Sequence, residues 1–430
     1  MKTNTPSDSP VQWAALIGFD WGDSRHAVAI RVKDQSVETL ELAHTAEGLQ
    51  GWLDQLEQRF EGHPVAVAIE ASRGASVYAM MERPWIQIFP IHPATSTHQR
   101  RAFQPSGAKD DIPDARVLLL LLEHHQDRLR PLQPDDQATR TLQGLLQARR
   151  KAVDRRTLLS NQLTSLLKDY FPQALGWSGE NRAAPLALDF LDKWPSLIDL
   201  KASKAQTLRR FYHTHNVRSP ELIDQRLEQI RGARPLTLDT AILEVSVRTA
   251  RLLVAELRVL QEHIAGFEDA IAQAFAAHPE RALFRELPGA GANLAPRLLV
   301  AFGTDRSRWE SAAEIQRFSG VAPVTERSGA RTWVHWRWNA PCFLRQTFSE
   351  WAAQTLVSSA WARAYYEHQK AKGHHHWGIL RALAFKWQRI LWRCWQTKTA
   401  YVEERYLAQL EKRRSPIAAR ARQIAQEMTI

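Results

Sequence analysis

The sequence predicts an α/β domain at the N-terminus followed by a mainly helical remainder. Three observations carry this. Residues 13 to 90 interleave short apolar runs with a stretch of helical periodicity, the pattern of a sheet with helices on its faces. Gln137 to Tyr170 and Leu243 to Phe275 each keep apolar residues at helical spacing throughout. Elsewhere, helical fragments broken by proline replace strand-like runs. The division expected is a disordered tail over 1–12, an α/β domain over 13–130 and a helical, coiled-coil region over 131–278. A C-terminal domain over 279–412 and a basic tail over 413–430 that frays complete it.

The elements follow in order. Ala14 to Phe19 is apolar and ends in Asp20. His26 to Val32 alternates, and Ser36 to Leu40 is its pairing candidate. Glu47 to Phe60 carries Leu49, Trp52, Leu53 and Leu56 at helical spacing. Val65 to Ile69 is a short apolar run ending in Glu70, and Trp85 to Phe89 is another strand, closed by Pro90. Residues 91 to 112 are polar and basic, with Arg100, Arg101 and Lys109. Pro113 then opens an apolar helix, as proline in a first turn allows. The helix over Gln137 to Tyr170 bears Arg149, Arg150, Lys151, Arg155 and Arg156, which reads either as a solvated face or as contacts to a nucleic-acid backbone. In the second long helix Leu253, Leu257, Leu260, Ile264, Phe267 and Ile271 form a heptad seam. Its partner is the first long helix or another subunit.

Composition excludes several classes. Hydrophobic residues make up 44% of the 430, enough for real cores, and the net charge is +11 at pH 7. Positive charge of this size favours polyanions, nucleic acid first among them. Two cysteines, Cys342 and Cys394, make no disulfide framework and fit a reducing compartment. No apolar run is long enough to span a bilayer, and residues 1 to 12 hold no apolar signal core, so a soluble, cytoplasmic protein without a membrane partner is expected. Of the sixteen tryptophans, nine lie between 333 and 395. Core packing is the ordinary use for them, and base stacking is the alternative.

Asp20 and Glu70 each close an apolar strand-like run, where functional groups gather in open α/β sheets. Asp111 and Asp114, within Lys109-Asp110-Asp111-Ile112-Pro113-Asp114-Ala115, are three apart at a helix start and share a face. Acids there also serve as ordinary caps. Four such carboxylates suit magnesium or manganese, and a two-metal site suits phosphoryl transfer.

The C-terminal half adds further motifs. Leu287-Pro288-Gly289-Ala290-Gly291-Ala292 precedes an apolar helix. Gly289 and Gly291 mark either a helix-hairpin-helix that approaches phosphates or a plain turn between helices. Phe318-Ser319-Gly320-Val321-Ala322-Pro323, Glu326-Arg327-Ser328-Gly329, Trp338-Asn339 and Leu344-Arg345-Gln346 follow. A serine beside glycine is by itself a turn residue. His374, His375 and His376 read as a solvated or phosphate-contacting loop.

Together, Gly18-Phe19-Asp20-Trp21, Ala68-Ile69-Glu70-Ala71 and the segment from Lys109 to Ala115 resemble the three acidic motifs of the DEDD insertion-sequence transposases, the IS one-ten family. The C-terminal motifs resemble the same family's second domain. The likeness runs from about Ala14 to Tyr406. Asp110 stands where the family more often has threonine, and Trp338 where it more often has glycine. The resemblance implies an RNase H-like, RuvC-like N-terminal domain in which Asp20, Glu70, Asp111 and Asp114 bind magnesium, and a C-terminal domain in which Ser328 is the nucleophile. It further implies a DNA recombinase with a covalent phosphoserine intermediate, a homodimer assembling to a tetramer with a composite site across subunits, a guiding bridge RNA, and a nucleoid-associated location. Arg149, Arg150 and Arg155 are then candidate nucleic-acid contacts, with Gly289 and Gly291. Two rivals remain from the residues alone. One is a metal-dependent nuclease or resolvase using activated water, and the other is a noncatalytic nucleic-acid-binding protein.

Overall fold

The computed structural model describes residues 12–103, 111–329 and 331–428. It divides into two compact units, 1–134 and 135–430. The first is α/β and the second almost wholly helical, as the sequence predicts.

In the first unit β1 (Ala15–Asp20), β2 (Arg25–Val32), β3 (Glu38–Ala43), β4 (Val65–Ile69) and β5 (Ile86–Pro90) form one sheet in the order β3-β2-β1-β4-β5. β1 pairs antiparallel with β2 and parallel with β4. β2 and β3 are antiparallel, and β4 and β5 parallel. The tight turn from β1 to β2 needs Gly22, whose added Cβ would stand 2.2 Å from the Arg25 carbonyl oxygen. The helices are α1 (Ala46–Phe60), α2 (Ala75–Met81), α3 (Pro93–Phe103) and α4 (Asp111–His125).

The two faces of the sheet differ in residue size. Ile17, Phe19, Val65, Val67 and Ile69 point to one side and pack with Trp52, Leu53 and Val77 of α1 and α2. Gly18, Ala27, Ala29, Ala66 and Ala68 point to the other, where α4 lies through Ala115, Val117, Leu118, Leu119 and Leu122. Small residues let the helix backbone come close. A Cβ on Gly18 would stand 2.0 Å from the Ala115 carbonyl oxygen and 2.5 Å from the Leu119 nitrogen.

The second unit opens with α5 (Gln137–Tyr170). Five helices follow: α6 (Ala174–Trp177), α7 (Pro185–Lys193), α8 (Leu197–Lys201), α9 (Ala205–Thr214) and α10 (Pro220–Gly232). Then come α11 (Thr240–Ala277), α12 (Arg281–Arg285), α13 (Gly291–Phe302) and α14 (Ala312–Phe318). A two-stranded ribbon, β6 (Val324–Ser328) with β7 (Arg331–His335), leads to α15 (Cys342–Gln354), α16 (Ala360–Ala371), α17 (His376–Thr397), α18 (Glu403–Lys412) and α19 (Ala418–Glu427).

The partner left open by the heptad seam is α5 of the same chain. Arg149 bonds Glu268 and Arg156 bonds Gln261, so the two helices run antiparallel. Leu253, Leu257, Ile264 and Ile271 are buried along α11. One core gathers the distal half of α5, with Leu159 and Leu163, and α6 to α10. The other gathers Leu142, Leu146, α13 and α15 to α19. The regions 131–278 and 279–412 thus share long helices. Over its described residues the tail after Arg413 is docked rather than frayed: α19 buries Ala421 and Ile424 completely, and Arg422 bonds Glu404 and Glu411. Residues 1 to 11 of the expected tail lie outside the described residues.

Candidate active site

Asp20 and Glu70 are brought together by strand register. Phe19 pairs with Ile69 in the parallel β1–β4 ladder, so the two acids leave adjacent strands one step later. Neighbouring strands lie about 4.8 Å apart. Side chains alternate along a strand, so Asp20 follows Gly18, and Glu70 follows Ala66 and Ala68, onto the face covered by α4.

α4 brings the other two acids to that edge. Ile112 packs with Ala27 and Ala29 beside the end of β1. Glu123, late in the helix, pairs at 3.8 Å with Arg31, which lies opposite Leu16 near the start of β1. The helix therefore runs antiparallel to β1, and its N-terminus stands at the Asp20 end. Asp114 directly precedes Ala115, the residue in closest approach to Gly18. Asp111 is the first residue of α4, and its side chain lies outside the described residues, as do Lys109 and Asp110.

Asp114 is mostly covered, with 14% of its side chain exposed, and its Oδ2 accepts a hydrogen bond from Arg100 Nη1 of α3 at 2.5 Å. This partner is not legible in the sequence, because Arg100 lies in a polar stretch without periodicity. Among the described residues no three His, Cys, Asp or Glu side chains are gathered closely enough to hold a metal ion. Carboxylates are the donor chemistry that a divalent cation takes, and in this arrangement the Arg100 guanidinium supplies the positive charge to Asp114. Beside the edge, His26 is buried and accepts a hydrogen bond at Nδ1 from Gly22 N–H. Burial and then the nearby His44 push its pKa down.

Ser328 closes β6 at the tip of the ribbon and is exposed. Its cross-strand partner is Arg331, and Gly329 in the turn adopts φ +57°. Alternation places Ser328, Glu326, Arg331, Trp333 and His335 on one face. His335 Nε2 lies 2.7 Å from Glu326 Oε1. That hydrogen bond, with a second to the Trp336 carbonyl, raises the His335 pKa. Trp333 is 55% exposed and Trp338 70%, unlike Trp351, Trp361, Trp387 and Trp395, which are fully buried. The ribbon's cationic and aromatic face was missed from the sequence, because exposed strands carry no apolar alternation.

The remaining candidates separate. Gly289 has φ +68°, and an added Cβ would meet the Gln354 carbonyl carbon at 2.7 Å, so this glycine serves internal packing. Gly291 starts α13 with φ +52° and open space around it. Arg149 is bonded to Glu268, Arg150 to Asp154, and Arg155 lies 3.7 Å from Glu256.

Comparison with known proteins matches both the N-terminal and the C-terminal part of the chain. The DEDD transposase model of the IS110 type, described as a transposase, matches residues 17–172. That span holds all four acids. The model described as the transposase IS116/IS110/IS902 family matches residues 281–367, with Ser328 inside. The chain belongs to the IS110 family of transposases. This transposase is 28% identical over 404 residues to the mini-circle putative transposase for IS117 of Streptomyces coelicolor, covering 91% of this chain and 96% of that one. It is 25% identical to the insertion element IS110 uncharacterized 43.6 kDa protein of Streptomyces coelicolor, over 86% and 91% of the two chains. The insertion element IS116 uncharacterized 44.8 kDa protein of Streptomyces clavuligerus is also 25% identical, over 87% and 93%. Membership makes the protein an enzyme that cuts and rejoins DNA. No helix among the described residues is long and apolar enough to cross a membrane.

Proposed function

We propose that this transposase recombines DNA by attack of Ser328 on a scissile phosphate, with magnesium or manganese held by Asp20, Glu70, Asp111 and Asp114. What supports the reading is the convergence of the four acids' backbone positions on one edge of one sheet face. Carboxylates so placed repel one another, and hard divalent cations relieve that repulsion. When bound, such ions polarise a phosphoryl oxygen and stabilise the attacking and leaving oxygens. We read the five-stranded mixed sheet as RNase H-like.

Ser328 Oγ forms a bond to phosphorus as one phosphorus–oxygen bond to a sugar breaks. The serine proton leaves, and the departing sugar oxygen takes up a proton. The covalent phosphoserine keeps a phosphodiester's bond energy for the incoming hydroxyl. Arg331, directly across the ribbon, supplies a cation beside Ser328, and exposed Trp333 offers a stacking surface for a flanking base. The net charge of +11 supports DNA and a structured guide RNA as partners, with sequence choice resting on base pairing. Ile242, Val245, Leu252 and Val259 leave apolar side chains exposed on α11, the last three at heptad spacing. This stripe supports a dimer that assembles further.

The test is incubation with element DNA, its RNA and magnesium, followed by a denaturing gel for protein–DNA adduct. Adduct is expected with the native chain and absent in Ser328→Ala, with DNA binding retained. Cleavage surviving Ser328→Ala would favour activated water. Recombination surviving Asp20→Asn and Glu70→Gln would remove the metal reading.

A further inference from the structure

The second unit contains a cavity of about 210 Å³ between α5, α11, α13 and α15. That is several times a water molecule's share of about 30 Å³. Its polar lining is Arg149, Arg150, Arg297, Asn293 and Glu268. We infer that this cavity is a phosphate-binding site that takes a backbone phosphodiester of nucleic acid.

Three features of the cavity favour an anion. The first is Arg297, whose side chain is only 11% exposed. Its Nε donates to Thr347 Oγ1 and its Nη1 to Glu350 Oε2, while Nη2 is buried without a hydrogen-bond partner. A buried donor left unmatched is costly, so an orphan of this kind calls for an acceptor.

The second is the start of α13. Ala292 and Asn293 both line the cavity, and Ala290 at the cap position provides no side-chain acceptor. The first N–H groups of a helix have no partner within it, and the helix dipole adds positive potential there.

The third is charge crowding. Burial pushes the Arg297 pKa down, and Arg150 and Arg149 nearby push it the same way, against the pull of Glu350. Each arginine has a carboxylate partner: Glu268 for Arg149, Asp154 for Arg150 and Glu350 for Arg297. A guanidinium has five N–H donors, however, and those carboxylates leave several unused. Phe343 stacks on Arg297, 5.1 Å from ring centroid to Cζ, and holds that group in place.

The inference rests on the nucleic-acid reading of this family member, but not on Ser328 or on metal. Binding is therefore measured on the full chain without divalent cation, so that its failure is separable from failure of the serine chemistry. A fluorescein-labelled DNA duplex of arbitrary sequence is titrated over a range of salt concentrations against the native chain, Arg150→Gln, Arg297→Gln and Arg248→Gln. Arg248 is exposed on α11 and pairs with Glu244, so it serves as a charge-matched control outside the cavity.

Loss of one seated phosphate predicts roughly tenfold weaker binding and a salt slope smaller by about 0.9 in Arg150→Gln and Arg297→Gln, with Arg248→Gln near the native chain. Arg150→Gln keeps the test decisive if Arg297→Gln fails to fold, since Arg150 sits at the helix surface. A second arm measures the thermal midpoint against inorganic phosphate alone. A midpoint that rises with phosphate in the native chain but not in Arg150→Gln, with duplex binding unchanged by the substitution, would assign the cavity to free phosphate and overturn the nucleic-acid assignment. Equal losses in Arg150→Gln and Arg248→Gln, or no response in either arm, would overturn the site.

Discussion

Substituting Gly18 tests how the acidic edge is built. In Gly18→Ala the new methyl would lie 2.0 Å from the Ala115 carbonyl oxygen and 2.5 Å from the Leu119 nitrogen. A carbon and a carbonyl oxygen settle at about 3.3–3.6 Å. The obstructing atoms are backbone in a helix and cannot rotate away, so α4 must retreat from β1 by about 1 Å or more. Overpacking of this kind costs roughly 1–3 kcal/mol. Because Asp114 precedes Ala115, the same retreat displaces it from Asp20. A 1 Å misplacement of reacting groups costs on the order of 100-fold in rate. Gly18→Ala is therefore expected to lower the urea midpoint, to speed amide exchange in α4, and to cut recombination by about two orders of magnitude. Gly51→Ala is the control. Its added Cβ meets nothing within 4 Å, and alanine within a helix gains about 0.5–1 kcal/mol over glycine. A Gly18→Ala protein with native exchange and native activity would refute the close approach, and with it the placement of the helix acids.

Three other substitutions probe separate parts of the account. Arg100→Gln frees the Asp114 carboxylate, and manganese binding followed by electron paramagnetic resonance should tighten about fivefold, the equivalent of about 1 kcal/mol; unchanged or weaker binding would deny competition between guanidinium and metal. Asp136 caps α5, accepting from Thr139 N–H and hydroxyl and from the Thr304 hydroxyl, and its pKa falls from the ordinary 3.8 to about 2 despite the opposing effect of burial. Its contribution is present above pH 3.8 and lost as pH falls toward 2. Asp136→Ala should cost about 1 kcal/mol in urea denaturation at neutral pH, and little near pH 2. His335 is raised by Glu326, so their ion pair exists below the His335 pKa and is lost as pH rises through it. In Glu326→Gln, the nuclear magnetic resonance titration of His335 should move to lower pH, and an unmoved titration would deny the pairing.

Much of the architecture was legible because burial writes itself into apolar runs. β4 occupies the expected Val65–Ile69 and is wholly buried. α5 occupies the expected Gln137–Tyr170, its end enforced by Pro172. Where burial is partial the text thins. α3 is polar enough to read as loop, and β3 starts two residues later than expected, at Glu38. The ribbon of β6 and β7 is exposed throughout most of its length and so has no hydrophobic period. α19 looked like a charged tail because Ala421 and Ile424 carry its docking while its arginines face carboxylates. In the site, Asp20 and Glu70 were legible as acids closing buried strands. Their common face was not, since it is marked by the absence of bulk at Gly18, Ala66 and Ala68, which reads in sequence as merely apolar. The partner of the α11 seam needed three dimensions, being decided by pairs such as Arg149 with Glu268.

The most direct test of the central claim is the location of the covalent bond. A recombination reaction quenched in acid, digested with nuclease and protease and read by mass spectrometry should show a nucleotide remnant linked to Ser328, formed only with magnesium or manganese and lost in Asp20→Asn. A remnant on another residue, or recombination that proceeds with no covalent protein–DNA species, would contradict the account.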